Sequence, residues 1–231
     1  MGTSPPNMCM ATSNKPILYS YWRSSCSWRI RAALELKQID YIYKPINLLK
    51  EENLNEEFLK INPLGKVPAL VIDGNTLYES LAVLEYLEEK YPDKNPLLPK
   101  AASDRAKVRA IALQIIAGIQ PLQNMGILKH VSAMYGGHGA ANIWAKKVIE
   151  DGFEKLEQQL QSTAGKYAFG DTLTIADLCI PPQVYNAKRF GINIDAYPTI
   201  KRLDAALQNL DAFKKSHPSV QPDAPDDEKK T

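Results

Sequence analysis

The sequence predicts a chain of two unlike halves, a mixed α/β domain followed by an all-α domain, and three observations carry the prediction. Between Pro16 and Tyr91 the apolar residues change period repeatedly, as interleaved strands and helices require. The stretch Asp93 to Lys100 holds Pro96, Leu97, Leu98 and Pro99, and strand-like alternation stops there. From Ser103 onward the apolar residues fall at helical spacing, as in Ile149, Phe153, Leu156 and Leu160, with charges on the opposite face.

In chain order, the β-prone runs Ile17–Tyr21, Tyr41–Ile46, Ala69–Ile72 and Thr76–Tyr78 are the predicted strands. Asp73-Gly74-Asn75 joins the last two as a tight hairpin turn, because Gly and Asn tolerate positive φ, so these strands should be antiparallel. Predicted helices cover Trp28–Lys37, a short run around Glu56–Ile61, and Ser80–Tyr91, with Ser80 as N-cap and Pro92 as the stop. The order is βαβ, a helix, then ββα, which makes a thioredoxin-like domain over residues 15–92, with residues 93–100 as linker. In that fold the bond before the third strand, Val67-Pro68, is cis; the sequence alone shows only a proline at the start of a strand. In the helical domain, residues 101–218, Gly136-Gly137-His138-Gly139 breaks the first long helices and Gly165 with Gly170-Asp171 the next. Thr174 is the expected cap of a further helix, paired with Asp177 three residues on, and Pro181-Pro182 should kink that helix. Residues 1–14 and 219–231, rich in Pro and polar residues, read as a disordered lead and a solvated tail.

Bulk properties narrow the function classes. A formal net charge of +2, with no basic run interleaved with aromatics, argues against a nucleic-acid surface, and no apolar run approaches the ~20 residues of a membrane span. The first residues lack a signal-peptide core, so a cytoplasmic location is expected. Cys9, Cys26 and Cys179 are odd in number and without C-x-x-C spacing, which fits a reducing compartment and no metal; His130, His138 and His217 show no metal spacing either.

Ser24-Ser25-Cys26-Ser27-Trp28-Arg29-Ile30-Arg31 follows an apolar strand and opens a helix-forming run. Three hydroxyls and a thiol thus crowd a place where a helix leaves N–H groups unpaired and carries a partial positive charge, which favours an anion. That anion is either the Cys26 thiolate or the sulfur of a bound thiol ligand.

The same stretch resembles the S-S-C-x-W-R-V-R signature of zeta-class cytosolic glutathione transferases, with isoleucine for valine. Asn62-Pro63-Leu64-Gly65-Lys66-Val67-Pro68, Glu79-Ser80, Ile119-Gln120-Pro121-Leu122-Gln123-Asn124 and Gly170-Asp171-Thr172-Leu173-Thr174-Ile175-Ala176-Asp177 follow in the family's order. The resemblance spans about Lys15 to Pro222. It implies glutathione as cofactor, a homodimer, and isomerisation of maleylacetoacetate in tyrosine breakdown, with dechlorination of dichloroacetate as a side activity.

Carried over by position, it implies that Ser24 to Arg29 surround the glutathione sulfur, with Ser24 and Ser25 serving the thiolate and Cys26 auxiliary. Val67 is the implied backbone partner of the cysteinyl unit, held by Pro68. The Ser80 hydroxyl suits the γ-glutamyl carboxylate and Glu79 its ammonium. Asn53, Gln120, Asn124, Met125 and Gly126 are further implied ligand contacts; Gly126 stands where some relatives carry serine. Arg29 and Arg189 are the implied grips for a small anionic substrate. A Cys26-dependent thiol transferase and a non-catalytic interaction module are the alternatives.

Overall fold

The computed structural model describes residues 15–229; the expected disordered lead and Cys9 lie outside them. A four-stranded sheet in the order β2-β1-β3-β4 forms the first layer, with β1 at Ile17–Ser20, β2 at Ile42–Pro45, β3 at Ala69–Ile72 and β4 at Asn75–Tyr78. β1 runs parallel to β2 and antiparallel to β3, and β3–β4 is an antiparallel hairpin. Its turn uses positive φ at Asp73 and Gly74, not at Asn75, which already pairs with Ile72. The Val67-Pro68 peptide is cis.

Helix α1, Ser25–Leu36, starts three residues before the predicted Trp28. The Ser24 side chain accepts the Ser27 N–H at 3.2 Å, so the cap is Ser24 and the polar stretch itself is the first turn. The short α2, Glu56–Ile61, is capped by Asn55. Helix α3, Ser80–Lys90, follows β4. Ser80 is its first helical residue rather than its cap, because the turn out of β4 is made by Glu79, whose φ is 66°.

After the linker the described residues form helices joined by turns and loops, with one isolated bridge, Ala164 to Gly170. Helix α4, Ala102–Leu113, continues through a π-helical stretch, Gln114–Ile119, and a 3₁₀ turn, Gln120–Gln123, into α5, Met125–Tyr135. Gly136 and Gly137 part α5 from the long α6, His138–Thr163. Gly152 lets α6 close on the π-helical stretch, since a Cβ there would stand 2.4 Å from the Ile119 side chain. Helices α7, Ile180–Arg189, α8, Pro198–Gln208, and α9, Asp211–Ser216, complete the domain.

Two expectations for α7 need correction. Pro181 and Pro182 stand in its first turn, where no N–H is required of them, and so they begin the helix instead of kinking it. The Thr174 hydroxyl does not cap, although its expected pairing with Asp177 is present: the Asp177 carboxylate accepts the Thr174 N–H and O–H and the Ala168 N–H, locking the preceding loop. Burial raises the Asp177 carboxyl to about 6 against these donors.

One hydrophobic core runs through both halves, from Leu18 and Ile30 to Phe153, Leu203 and Phe213. The linker is tied to it by a buried ion pair. Lys37, at the end of α1, meets Glu88 of α3 at 2.5 Å and also donates to the Tyr91 and Lys94 carbonyls, while Glu88 accepts the Leu97 N–H. Residues 219–224 are not a free tail, whereas residues 225–229 are exposed as expected. After a 3₁₀ turn at Pro218–Val220, Gln221 and Ala224 are buried and Asp223 bonds to Trp22 and Tyr43, so side-chain chemistry docks a segment whose composition reads as solvated. Among the described residues no single helix is long and apolar enough to cross a membrane.

Removing one member of the buried pair leaves the other charge uncompensated and frees the linker. Glu88→Ala is expected to cost about 3–5 kcal/mol in equilibrium urea unfolding, whereas Lys60→Ala, which breaks the exposed pair with Glu56, should cost less than about 1 kcal/mol.

Candidate active site

The loop between β1 and α1 ends on Ser24, whose side chain is committed to the helix cap. Ser25 follows as the first helical residue. Its hydroxyl has no hydrogen-bond partner among the described residues, and it lines a cavity of about 570 Å³ between the two domains. Cys26 lies on the same wall, partly exposed.

The opposite wall is built by Asn62-Pro63-Leu64-Gly65-Lys66-Val67-Pro68. The Asn62 side chain accepts the Leu64 N–H and donates to the Lys66 carbonyl, closing the loop on itself. Gly65 has φ of 60°, and a Cβ would press on Leu54 and the Asn53 carbonyl at 3.2 and 3.3 Å. Asn53 in turn donates to the Gly65 carbonyl at 2.8 Å. The loop therefore delivers Val67 to the cavity in a fixed position. No backbone hydrogen bond to Val67 occurs among the described residues, so its N–H and C=O stand ready for an added extended segment.

Helix α3 opens on the same cavity. Glu79, with left-handed φ, is a strained position for a non-glycine residue and costs of order 1–3 kcal/mol, which the turn accepts while placing the carboxylate on the wall. Ser80 behind it is buried and accepts a hydrogen bond from Arg29 Nη1 at 3.1 Å. With the lone pair taken by a guanidinium, the Ser80 O–H is free to donate into the cavity. The N-terminal ends of α1 and α3 thus converge on one space, and both carry partial positive charge suited to anions.

Arg29 is fully buried; Nη1 also lies 3.8 Å from Cys26 Sγ, and Nε and Nη2 have no partner. It backs Ser80 and Cys26 from inside the wall, a position from which it acts through them rather than as the expected substrate grip. Arg29 still lines the cavity, whereas two expected residues do not. Ser27 is buried beneath the first turn, and Trp28 points the other way, donating from Nε1 to Ser216 Oγ at 3.0 Å and stacking edge-on against Tyr185 and His217. Helical periodicity explains both: with Ser25, Cys26 and Arg29 facing the cavity, residues 27 and 28 face the domain core.

Gln120, Asn124, Met125 and Gly126 line the helical-domain side, with Asn124 capping α5. A Cβ at Gly126 would meet nothing within 4 Å, so glycine there leaves space that a serine would fill. Arg189, at the end of α7, reaches the mouth, and partial desolvation, then the like charge of Arg23, lowers its pKa. Nothing in the motif marks Arg23, and only the loop's path brings it beside Arg189. Tyr21 and His130 also join the lining without a sequence signal, and Lys66 and Gln123 do so from within quoted motifs.

Comparison with known proteins agrees with this geometry. Residues 23–90 match the family model described as glutathione S-transferase, N-terminal domain, and residues 129–216 that described as glutathione S-transferase, C-terminal domain. Maleylacetoacetate isomerase of Rattus norvegicus is 53% identical over 215 residues, which cover 92% of this chain and 97% of the rat protein. The holo structure of a maleyl pyruvate isomerase, a bacterial zeta-class glutathione S-transferase, superposes with a TM-score of 0.87 at 41% identity, covering 90% of this chain and all of that one. Maleylacetoacetate isomerase from Anaeromyxobacter dehalogenans 2CP-1, solved with GSH in its active site, superposes at 0.83 with 41% identity, covering 91% and 98%. The same protein solved with dicarboxyethyl glutathione and citrate superposes at 0.82 with 40% identity and the same coverage. The two-helix-end cavity at the domain junction, the family matches over both halves and these identities place the chain in the zeta class of the glutathione S-transferase family.

Proposed function

We propose that this chain is a glutathione-dependent cis–trans isomerase acting on maleylacetoacetate, with fumarylacetoacetate as product. The observation that carries the reading is the pairing, in one cavity, of an uncommitted hydroxyl at a helix N-terminus with two arginines at the mouth. The residues present fit glutathione: Val67 offers an unpaired backbone edge, Ser80 a free O–H, and Glu79 a carboxylate for an ammonium. When bound, glutathione supplies the thiol nucleophile that converts the substrate's double bond into a rotatable single bond and is regenerated afterwards.

The chain's own part is electrostatic and positional. Ser25, with the N–H groups of the first turn of α1, stabilises negative charge on sulfur. A hydroxyl donor and a helix end together lower a thiol from its usual pKa of about 8.5 toward neutrality. Ser24 maintains that turn through its cap to Ser27. Arg189 and Arg23 hold the substrate's terminal carboxylates and offset the charge that develops on its carbonyl oxygens. No general base is required of the protein, and Cys26 is auxiliary. Dehalogenation of dichloroacetate, a small anion that fits the same arginines, is a further activity of this reading. So are a place in tyrosine breakdown, a cytosolic location and a homodimer, whose mass in solution should be twice the chain's 25.8 kDa.

With maleylacetone as substrate, isomerisation should require glutathione. Ser25→Ala should lower kcat/KM by roughly 100-fold, while Cys26→Ala retains most of the rate. Absence of glutathione-dependent isomerisation, with disulfide exchange that Cys26→Ala abolishes, would establish a cysteine-type thiol transferase instead. Separately, Arg189→Gln should raise KM for maleylacetone by roughly 10-fold or more and leave KM for glutathione unchanged, since it removes a charged grip on the substrate only.

A further inference from the structure

The loop before Ser24 and Ser25 has its backbone bound on two sides, by Asp223 near the end of the chain and by Arg31 of α1. On one side the Trp22 N–H donates to Asp223 Oδ2 at 2.9 Å, and the carboxylate's other oxygen accepts from the Tyr43 hydroxyl at 2.7 Å. On the other side the Trp22 carbonyl accepts from Arg31 Nη2 at 3.0 Å, while Arg31 Nε donates to the Ser216 carbonyl at the end of α9. Ala224, next to Asp223, is buried in a small apolar cluster with Tyr21, Trp22 and Val67, the last of which lines the cavity's opposite wall. The groups acting on the Arg31 guanidinium are Tyr43, Tyr41 and Asp223, while Arg23 of the same loop stacks over the Trp22 ring at 5.6 Å and Glu35 faces Tyr41; no carboxylate lies within ion-pair distance of Arg31 among the described residues, and Asp223 supplies negative charge to its buried guanidinium.

We propose that Asp223 is a positioning residue for the reaction: its carboxylate fixes the Tyr21–Ser24 backbone and thereby sets where the Ser24 and Ser25 hydroxyls stand against the ligand sulfur. The proposal rests on the glutathione-dependent reading above. Asp223 itself does not line the cavity, so it acts only through the loop. A loop held by one face alone retains Arg31's grip but loses the bond that opposes it, and the hydroxyls drift from the sulfur while Val67, Glu79 and Ser80 still bind the rest of the tripeptide.

The test compares Asp223→Ala and Tyr43→Phe with the unaltered full chain. In ligand-free protein, amide exchange over residues 22–25 should quicken roughly 10- to 100-fold in Asp223→Ala, which removes the acceptor of the Trp22 N–H, and less in Tyr43→Phe. With glutathione bound, the ultraviolet titration of its thiolate should move up by about one pH unit. kcat should then fall most at acid pH and recover at alkaline pH, with KM for glutathione little changed. Asp223→Glu should restore part of each. Lowered thermal stability with unaltered loop exchange and an unaltered thiolate titration would overturn the proposal, assigning Asp223 a purely structural part. An unaltered chain that does not depress the thiol pKa would overturn the functional reading itself, a result visible before any variant is made.

Discussion

The Arg31 guanidinium is fully buried, and its donors reach the Ser216 carbonyl, the Ser20 hydroxyl and the carbonyls of Tyr21 and Trp22. Burial lowers its pKa, opposed by Tyr43, Tyr41 and Asp223. A desolvated charge of this kind costs several kcal/mol unless its hydrogen bonds are made, so every carbonyl it binds is held to one position. Those acceptors belong to the end of β1, where it is the Ser20 hydroxyl, and to the loop before α1 and the end of α9, where they are carbonyls. The junction of the two domains and the loop of the candidate site are therefore both tied to this one side chain.

From that constraint the rest of the site follows. With the loop fixed, the Ser24 cap sets the first turn of α1, and helical geometry then turns Ser25, Cys26 and Arg29 to the cavity and Trp28 to the interdomain core. Arg29 reaches across to Ser80, coupling the ends of α1 and α3, so the two positive helix ends are arranged as one unit. The cis bond at Pro68 and the closed Asn62 loop bring Val67 to the same space from the other side. Anion preference is thus a property of the architecture, and the arginines at the mouth extend it toward small, charged substrates.

Much of this was legible in the chain. The strands, the hairpin at Asp73-Gly74 and the change to helical spacing after Lys100 follow from local periodicity and turn chemistry, which act over a few residues. The motif residues Ser24, Ser25, Cys26, Val67, Pro68, Glu79, Ser80, Gln120, Asn124 and Arg189 do meet in one cavity. Ser27 and Trp28, adjacent in the same motif, do not, because a motif records sequence neighbours while a helix sends successive residues in different directions. Arg23 and Tyr21 enter the lining from a loop with no signature of its own. Pro181 and Pro182 show the same limit: their identity forbids a mid-helix position, but only the path of the chain decided that a helix begins at them.

The sequence by itself determined the fold class, the polar helix start and the chemistry available there, since secondary-structure preference and side-chain type are local properties. Tertiary structure alone decided where the last described residues go. Pro222, Asp223 and their neighbours carry the composition of a solvated tail, yet Asp223 finds the Trp22 N–H 201 positions earlier and the Tyr43 hydroxyl 180 positions earlier. A carboxylate's partner is set by which donors the fold brings within about 3 Å, and no local pattern encodes a contact between the two ends of a chain.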